Sequence, residues 1–291
     1  MSTEITWEKV LWKRQPYPDN YVPESFLSEL RRNTNFSPYT YSAVILASCM
    51  IAQHLSALFI FLAVFARLYN ETLDPRLLVG LTICCNLLGY ILGELLESQS
   101  QTSRVETRAK MLKSIIFIVV ALVILSPGLR TLTAATSSDS IWAISACLFI
   151  LNTLLADYEA TPPDKLYTTR LSSASVISIN AAVFSSVVLA SRLSTNNAVF
   201  ALTLFSFHLF ALFPFIRLRL QAYPSIIRIG FTTFMITLSL YLIASLSVFV
   251  VSLLILGYIL VLFISPAILV WAQGHKNEIR GPWDVAVPHL R

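Results

Sequence analysis

Residues 229–271 read IGFTTFMITLSLYLIASLSVFVVSLLILGYILVLFISPAILVW, an almost unbroken apolar run. This run of about forty residues is twice the roughly 20 residues that a helix needs to cross the hydrocarbon core of a bilayer. One helix of that length would extend through two membrane thicknesses. We therefore predict two spanning helices, Ile229 to Leu246 and Val248 to Trp271, joined by a tight turn near Ser245 to Ser247.

The same length requirement predicts six further spans upstream, and Pro127 with Gly128 predicts a kink or an early end in the third of them. The predicted fold class is therefore all-α, a polytopic integral membrane protein with about eight transmembrane helices. We expect an N-terminal segment of residues 1–41, a transmembrane domain of residues 42–272 and a tail of residues 273–291. The upstream spans run from Ser42 to Phe65, Leu77 to Leu96, Ile115 to Leu132, Ile141 to Tyr158, Ala174 to Ala190 and Ala198 to Ile216.

The composition of the whole chain agrees with a membrane protein. Of the 291 residues, 56% are hydrophobic and 13% are charged, whereas soluble domains carry about 25% charged residues. The net charge of +5 does not indicate a nucleic-acid partner, because the basic residues are scattered and no binding motif for nucleic acid is present. No apolar stretch typical of a signal peptide precedes the first span, so we expect that span to direct insertion.

The distribution of basic residues predicts which ends of the spans face the cytoplasm. With a cytoplasmic N-terminus, 17 of the 21 lysines and arginines fall on the cytoplasmic side and only four on the other. An incorrect number of spans would scramble this alternation, because lysine and arginine are concentrated in cytoplasmic loops. We therefore predict eight spans with both termini in the cytoplasm.

Small residues recur at every fourth position in two of the predicted spans. Such stripes allow helix backbones to approach closely in lipid. They predict tight packing, either within the protein's own bundle or against a helix of a partner. The fifth span contributes Ala174, Ser178, Ala182, Ser186 and Ala190, and the second contributes Cys85, Gly89 and Gly93. All four cysteines, Cys49, Cys84, Cys85 and Cys147, lie in apolar runs and are expected to be small packing residues.

Basic residues near the predicted cytoplasmic ends are candidates for binding a lipid headgroup. A segment before the third span alternates apolar and basic faces, which is typical of an interfacial helix. Each such charge would attract anionic lipid, phosphatidylinositol included, by about 1 kcal/mol. The competing interpretation is that they only anchor the topology. The candidates are Arg104, Arg108, Lys113, Arg217 and Arg219.

Few ionisable residues occur within the predicted spans. Glu94 and Asp157 lie at cytoplasmic ends, and an alternative hypothesis makes them the working groups of a lipid-handling enzyme, flippase or transporter. His54 and His208 are single histidines, so we expect interhelical hydrogen bonds rather than metal ligation. No phosphate-binding loop or nucleophile elbow is present. The sequence thus predicts no catalytic residue, metal or cofactor of its own.

The polar N-terminal segment contains WKRQPYPDNY at residues 12–21. Pro16 and Pro18 predict an extended backbone that displays Trp12, Tyr17 and Tyr21 as rigid anchors for a partner. The alternative is that both termini cover the cytoplasmic face of their own bundle. The predicted docking residues are Trp7, Trp12, Gln15, Pro16, Tyr17, Pro18, Asp19, Asn20 and Tyr21, with Gly281, Pro282, Trp283 and Asp284 at the other end.

The polar motifs resemble those of one known family. The matching stretches are WEKVLW at 7–12, RQPYPDNYV at 14–22, SP at 126–127, TLT at 131–133, DY at 157–158, LASRL at 189–193 and GPWD at 281–284. Together they are similar to PIG-C, a family of subunits of the phosphatidylinositol N-acetylglucosaminyltransferase complex. The motifs occur in order along nearly the whole chain.

The resemblance implies a specific function, which the amino-acid composition alone cannot indicate. It implies a subunit of the complex that transfers N-acetylglucosamine from its UDP-sugar to phosphatidylinositol, the first step of GPI-anchor synthesis, at the cytosolic face of the endoplasmic reticulum membrane. It also implies that catalysis belongs to a PIG-A subunit, with PIG-H, PIG-P and PIG-Q as further partners. In this interpretation the present chain is an accessory membrane component.

Overall fold

The computed structural model describes residues 10, 12–18, 21, 31–32, 37–96, 101–133, 135–158, 173–221, 223–276 and 279–280. In these residues the regular secondary structure is helical apart from one short β pair, formed by β1 (Arg31–Arg32) and β2 (Ile279–Arg280). The helices are α1 (Tyr41–Tyr69), α2 (Pro75–Leu96), α3 (Gln101–Thr131), α4 (Ser138–Leu155), α5 (Ser173–Ala190), α6 (Asn196–Leu220), α7 (Ser225–Ala244) and α8 (Val248–Gln273).

The all-helical membrane-protein class is confirmed. Helices α1, α4, α6, α7 and α8 are long and apolar enough to cross a bilayer. Helices α2, α3 and α5 contain shorter apolar stretches, at Pro75–Gly89, Ile116–Thr131 and Ser175–Ala190. Each helix coincides in position with one of the eight predicted spans.

The predicted hairpin between the last two helices is confirmed. Helix α7 ends at Ala244 and α8 begins at Val248. The amide of Leu246 donates to the carbonyl of Ile243 at 2.8 Å, which closes the turn. The hydroxyl of Ser247 accepts a hydrogen bond from the amide of residue 250 and so caps the start of α8.

Prolines inside the helices do not end them. Helix α3 continues past Pro127 to Thr131, which excludes the predicted early end. In α6 the π-helical segment Phe207–Leu212 precedes Pro214, and α8 has the same arrangement at Leu260–Ile264. Proline lacks an amide hydrogen and its ring crowds the carbonyl four residues earlier, so a widened turn accommodates it. The sequence pattern does not predict these π segments.

Helix α1 forms the centre of the bundle. Its Phe61 is completely buried and lies 5.6 Å from Phe149 of α4 and 5.3 Å from Phe210 of α6, measured between ring centroids. In contrast, Phe117 of α3 and Phe249 of α8 are more than 70% exposed. Apolar side chains that face outward on spanning helices are suited to contact lipid.

The expectation that all four cysteines are small packing residues is only partly met. Cys49 is buried in α1, as predicted for a small packing residue, but Cys84, Cys85 and Cys147 are exposed. These three face away from the bundle interior. An apolar run does not distinguish the two environments, because lipid tails and a protein core are equally apolar.

The connections that follow the odd-numbered helices are tied together at one end of the bundle. Arg67 at the end of α1 donates to the hydroxyl of Ser245 after α7, at 2.8 Å. The hydroxyl of Ser194, after α5, donates to the carboxylate of Glu71, after α1, at 2.9 Å. Arg130 at the end of α3 donates to the carbonyl of Ser194. The ends of α1, α3, α5 and α7 therefore lie together.

The chain divides into two compact units, Ser42–Pro266 and a second unit of Met1–Tyr41 with Ala267–Arg291. Within the second unit, β1 and β2 pair antiparallel with Arg31 opposite Arg280. The Tyr39 amide donates to the Gln273 side chain at 2.8 Å, and that side chain donates back to the Tyr39 carbonyl at 2.9 Å. The segments before α1 and after α8 thus lie side by side.

Candidate functional site

A polar network crosses three helices around His54. Its Nε2 lies 2.8 Å from Asn152 Oδ1 of α4. The Asn152 amide donates to the carbonyl and the hydroxyl of Ser178 on α5, and that hydroxyl donates back to the Asn152 carbonyl at 2.7 Å. All three side chains are buried. The predicted interhelical hydrogen bond of His54 is confirmed.

Tyr158 extends this network toward one end of the bundle. Its hydroxyl lies 2.9 Å from His54 Nδ1 and donates to the Thr153 carbonyl at 2.9 Å. The guanidinium of Arg217 lies 5.5 Å from the centroid of the Tyr158 ring, a cation–π distance. The DY motif at 157–158 therefore connects the polar interior to an arginine.

His208 forms a second polar link, between α6 and α2. Its Nδ1 lies 2.8 Å from Asn86 Oδ1, and the Asn86 amide donates to the Thr82 carbonyl at 2.8 Å. His208 belongs to the π-helical segment of α6. The interhelical hydrogen bond predicted for His208 is also confirmed.

A pocket lies next to Tyr158, between α1, α6 and the start of α7. Its space is about 450 Å³, including the part that is open to the surroundings. The pocket is lined by apolar side chains and by two arginines, with two glutamines: Leu46, Ala47, Cys49, Met50, Gln53, Tyr158, Arg217, Leu220, Gln221 and Arg228.

Arg217 is the most deeply buried basic group of this pocket, with 4% of its surface exposed. Its Nη1 donates to the Met50 carbonyl at 3.3 Å and its Nη2 to the Asp157 carbonyl at 3.5 Å. Both bonds are longer than the usual 2.7–3.2 Å. Arg217 was predicted as a headgroup candidate together with Arg219, but Arg219 is exposed and does not line the pocket.

The sequence pattern does not mark Arg228 as a site residue, although it lines the pocket. It lies in the first turn of α7, after Ile226 and Ile227. A charged residue so early in an apolar helix is the signal that could have indicated it. Arg217 and Arg228 line the same pocket because of how α6 and α7 are rotated about their axes. The sequence does not reveal that rotation.

Three buried polar atoms of the pocket residues have no hydrogen-bond partner in the part of the chain that the structure describes. They are Oε1 of Gln53 and the Nε atoms of Arg217 and Arg228. The other end of the Gln53 amide donates to Thr232 Oγ1 at 2.8 Å, so its orientation is fixed with Oε1 unpaired. The carboxylate of Asp157, whose backbone carbonyl accepts from Arg217, interacts electrostatically with the Arg217 guanidinium. Unpaired buried donors and acceptors are costly.

The N-terminal motif differs from its prediction. Trp12 is 87% exposed, as a docking residue should be. The Tyr21 amide donates to the Pro18 carbonyl at 2.9 Å, and the rings of Tyr17 and Tyr21 stack with centroids 4.3 Å apart. The backbone therefore turns at Pro18 instead of staying extended, and the two tyrosines contact each other instead of projecting separately.

Four members of the small-residue stripe on α5 are buried: Ser178, Ala182, Ser186 and Ala190. The neighbouring Ser185 hydroxyl donates to the carbonyl of residue 145 on α4 at 3.0 Å. A Cβ atom added at Gly89 of α2 would lie 4.0 Å from Ile216, an ordinary contact. The packing role of these residues stays a prediction.

Several predicted site residues lie outside the described part of the structure. Lys113 of the basic segment is described and is exposed. For Gly93, Glu94, Arg104, Arg108 and Ala174 only the helical backbone is described, so the hypothesis that pairs Glu94 with Asp157 stays untested. The fully undescribed ones are Trp7, Asp19, Asn20, Gly281, Pro282, Trp283 and Asp284.

Two of the polar motifs meet in space although they are far apart in sequence. The hydroxyl of Thr133, from the TLT motif, hydrogen-bonds the hydroxyl of Ser191 in the LASRL motif. Arg192 of the same motif donates to the carbonyls of Thr133 and Thr136. These motif residues hold the ends of α3 and α5 together.

These features define a polytopic helical membrane protein whose motif residues link its helices. A family model described as phosphatidylinositol N-acetylglucosaminyltransferase, GPI2, matches residues 7–284. The chain therefore belongs to the GPI2 family, also called PIG-C, whose members are subunits of that transferase. No solved structure matches the chain.

Curated relatives match over nearly the whole chain. The phosphatidylinositol N-acetylglucosaminyltransferase GPI2 subunit of Schizosaccharomyces pombe is 36% identical over 98% of this chain and 87% of its own length. The corresponding subunit of the same transferase from Homo sapiens is 32% identical over 97% of this chain and 93% of its own length. A putative subunit of this transferase from Dictyostelium discoideum is 34% identical over 96% of this chain and 79% of its own length.

Proposed function

We propose that this chain is a non-catalytic membrane scaffold subunit of the complex that transfers N-acetylglucosamine from UDP-GlcNAc to phosphatidylinositol in the endoplasmic reticulum membrane. This transfer is the first step of GPI-anchor biosynthesis. The observation that carries the proposal is the family match over residues 7–284, in which the relatives are named as transferase subunits. The histidine networks add support, because His54 and His208 are engaged in links between helices.

The proposed topology has eight spans with both termini in the cytoplasm. The five helices that are long and apolar enough to cross a bilayer would alone place the two ends of the chain on opposite sides of the membrane. The β1–β2 pair and the Tyr39–Gln273 pair instead favour an even number of crossings. The hydrogen bonds that join the ends of α1, α3, α5 and α7 favour regular alternation of eight helices.

The partners that we propose are a PIG-A-type catalytic subunit and subunits of the PIG-H, PIG-P and PIG-Q types. The N-terminal motif supports a docking role for the polar segment, because Trp12 presents a large apolar surface without burying it. Exposed tryptophans of this kind are frequent hot spots of protein interfaces. The stacked pair of Tyr17 and Tyr21 would stiffen the segment beside it.

Replacing Trp12 with alanine tests the docking proposal. We expect recovery of the catalytic partner in a mild-detergent pull-down to fall about tenfold, because truncating a hot-spot tryptophan commonly costs more than 1 kcal/mol. The subunit itself should remain inserted and monodisperse.

The matched control is Tyr241→Ala, which removes another aromatic side chain, 73% exposed, from the apolar surface of α7. This control should leave partner recovery unchanged. Equal recovery with Trp12→Ala and with the unmodified chain would contradict the docking role.

A further inference from the structure

We infer that the pocket between α1, α6 and α7 binds the headgroup of phosphatidylinositol, with the phosphate against Arg217 and Arg228 and a ring hydroxyl against Gln53. This inference deepens the proposed function and rests on it for the choice of lipid. In this inference the subunit itself binds the acceptor substrate. A subunit that only held the other subunits together would not need such a site.

The positive charge of the pocket favours an anionic ligand. Arg217 is 4% exposed, and among the described residues its hydrogen bonds go to two backbone carbonyls, over long distances, with the Asp157 charge nearby. The side chain of Arg228 forms no hydrogen bond with any described residue, and its Nε is buried. Asp157 supplies one negative charge near Arg217, so the two guanidinium groups at the rim of the apolar bundle keep a net positive charge that a bound anion would balance. A phosphate is the anion that guanidinium groups bind best, through charge-assisted hydrogen bonds.

The unpaired Oε1 atom of Gln53 favours a ligand that also carries a hydrogen-bond donor. Gln53 is 2% exposed, and its amide nitrogen is already committed to Thr232. Its Oε1 can only accept a hydrogen bond. The ligand should therefore combine an anionic acceptor with a hydrogen-bond donor. An inositol phosphate carries both, whereas a phosphocholine headgroup carries no donor.

The walls of the pocket favour a lipid over a water-soluble phosphate. Leu46, Ala47 and Met50 of α1 and Leu220 of α6 form its apolar lining. Next to Arg217 on α6, Ile216 faces outward and is 41% exposed. A phosphodiester bound at the arginines could thus keep its acyl chains along apolar helix surface. A nucleotide sugar would place its polar uridine against the same surface.

The test measures which lipid stays with the complex. The complex is purified through this subunit in mild detergent from membranes that contain phosphatidylinositol, and the retained phospholipids are quantified by mass spectrometry. Arg228→Gln should lower retained phosphatidylinositol about tenfold, the expected effect of losing a charged hydrogen bond. Arg228→Lys, which keeps the charge, should retain more than Arg228→Gln.

Arg219→Gln is the matched control. It removes the same charge from the same end of α6, two residues from Arg217, but at an exposed position outside the pocket. Retention of phosphatidylinositol by this variant should equal that of the unmodified chain. Equal losses in Arg219→Gln and Arg228→Gln would overturn the inference, because the effect would then be one of general surface charge.

Gln53→Met separates headgroup recognition from anion binding. It removes the acceptor at similar volume, and Thr232 keeps its hydrogen bond to the Arg228 carbonyl at 2.7 Å. The preference for phosphatidylinositol over phosphatidylserine should be lost while total anionic lipid is retained. An unchanged preference would overturn the assignment of the hydroxyl to Gln53 and with it the choice of inositol.

Two further readouts keep the inference distinct from the proposed function. Recovery of the partner subunits reports on the scaffold role alone, so intact recovery with unchanged lipid in Arg228→Gln would overturn only the inference. Binding of labelled UDP-GlcNAc is measured on the same preparations. If Arg228→Gln lost nucleotide-sugar binding but retained its lipid, the pocket would be a nucleotide-sugar site and the inference would be wrong.

Discussion

At the scale of single residues, the bundle interior is organised by hydrogen bonds between helices. His54, Asn152 and Ser178 join α1, α4 and α5, and the Tyr258 hydroxyl lies 2.8 Å from the hydroxyls of both Ser56 and Ser239. Within a membrane, an apolar contact with another helix is hardly better than a contact with lipid. Directional bonds of this kind therefore select which helices are neighbours.

Asn152→Leu should destabilise the bundle. The change keeps a similar size but removes the bonds to His54 and Ser178, so buried polar atoms lose their partners. We expect a loss of about 1 to 3 kcal/mol. The measurement is the temperature at which half of the detergent-solubilised protein remains monodisperse. Leu154→Ala, at a residue of the same helix that is 74% exposed, should change that temperature little.

The kind of partner was predictable for the histidines, but the partner itself was not. A lone histidine in an apolar span requires a polar neighbour, which the sequence alone indicates. That Arg217 shares a pocket with Arg228 instead of Arg219 depends on helix rotation. Cys84 and Cys147 illustrate the same limit, because an apolar sequence suits both a buried and a lipid-facing position.

At the scale of helices, the side-by-side packing of α4 and α5 depends on small side chains. Ala182 and Ser186 are fully buried, and Ser185 donates to the backbone of α4. Small residues permit this close approach, after which backbone carbonyls can serve as acceptors. The stripe on α5 is therefore read as an internal packing surface that awaits a direct test.

Ala182→Leu provides that test. Three additional heavy atoms at a position with no exposed surface would force α5 away from its neighbours, at a cost of about 1 to 3 kcal/mol. We expect a lower midpoint of thermal unfolding in detergent. Val176→Leu enlarges a residue of the same helix that is 43% exposed, and it should have little effect. Equal stability of the two variants would contradict the packing role.

The approximate ends of the helices could be predicted from the length of the apolar runs and from the turn residues. The hydrogen-bonding pattern within the helices could not. The hairpin at Ser245 to Ser247 was predictable because the apolar run is too long for one crossing. The π segments before Pro214 and Pro266 were not, because a proline can kink, end or widen a helix.

At the scale of the whole molecule, the proposed arrangement places both chain termini in the cytoplasm. Tags fused to either end should be removed by protease added to intact microsomes, because both ends would be accessible from outside the vesicles. Asn70, in the sequon after α1, lies directly at the helix end and should remain unglycosylated. The N-terminal segment contains a second sequon, Asn35-Phe36-Ser37. Protection of either tag, or glycosylation of Asn35, would contradict the eight-span topology.

The pairing of Arg31 with Arg280 has a consequence for biosynthesis. A ribosome delivers β1 before the first helix is inserted, but β2 leaves it only after the last one. The two strands therefore cannot meet until synthesis is almost complete. A nascent or prematurely terminated chain would carry an unpaired β1, and this difference would let the cell's quality control, or a partner subunit, distinguish a finished chain from a fragment.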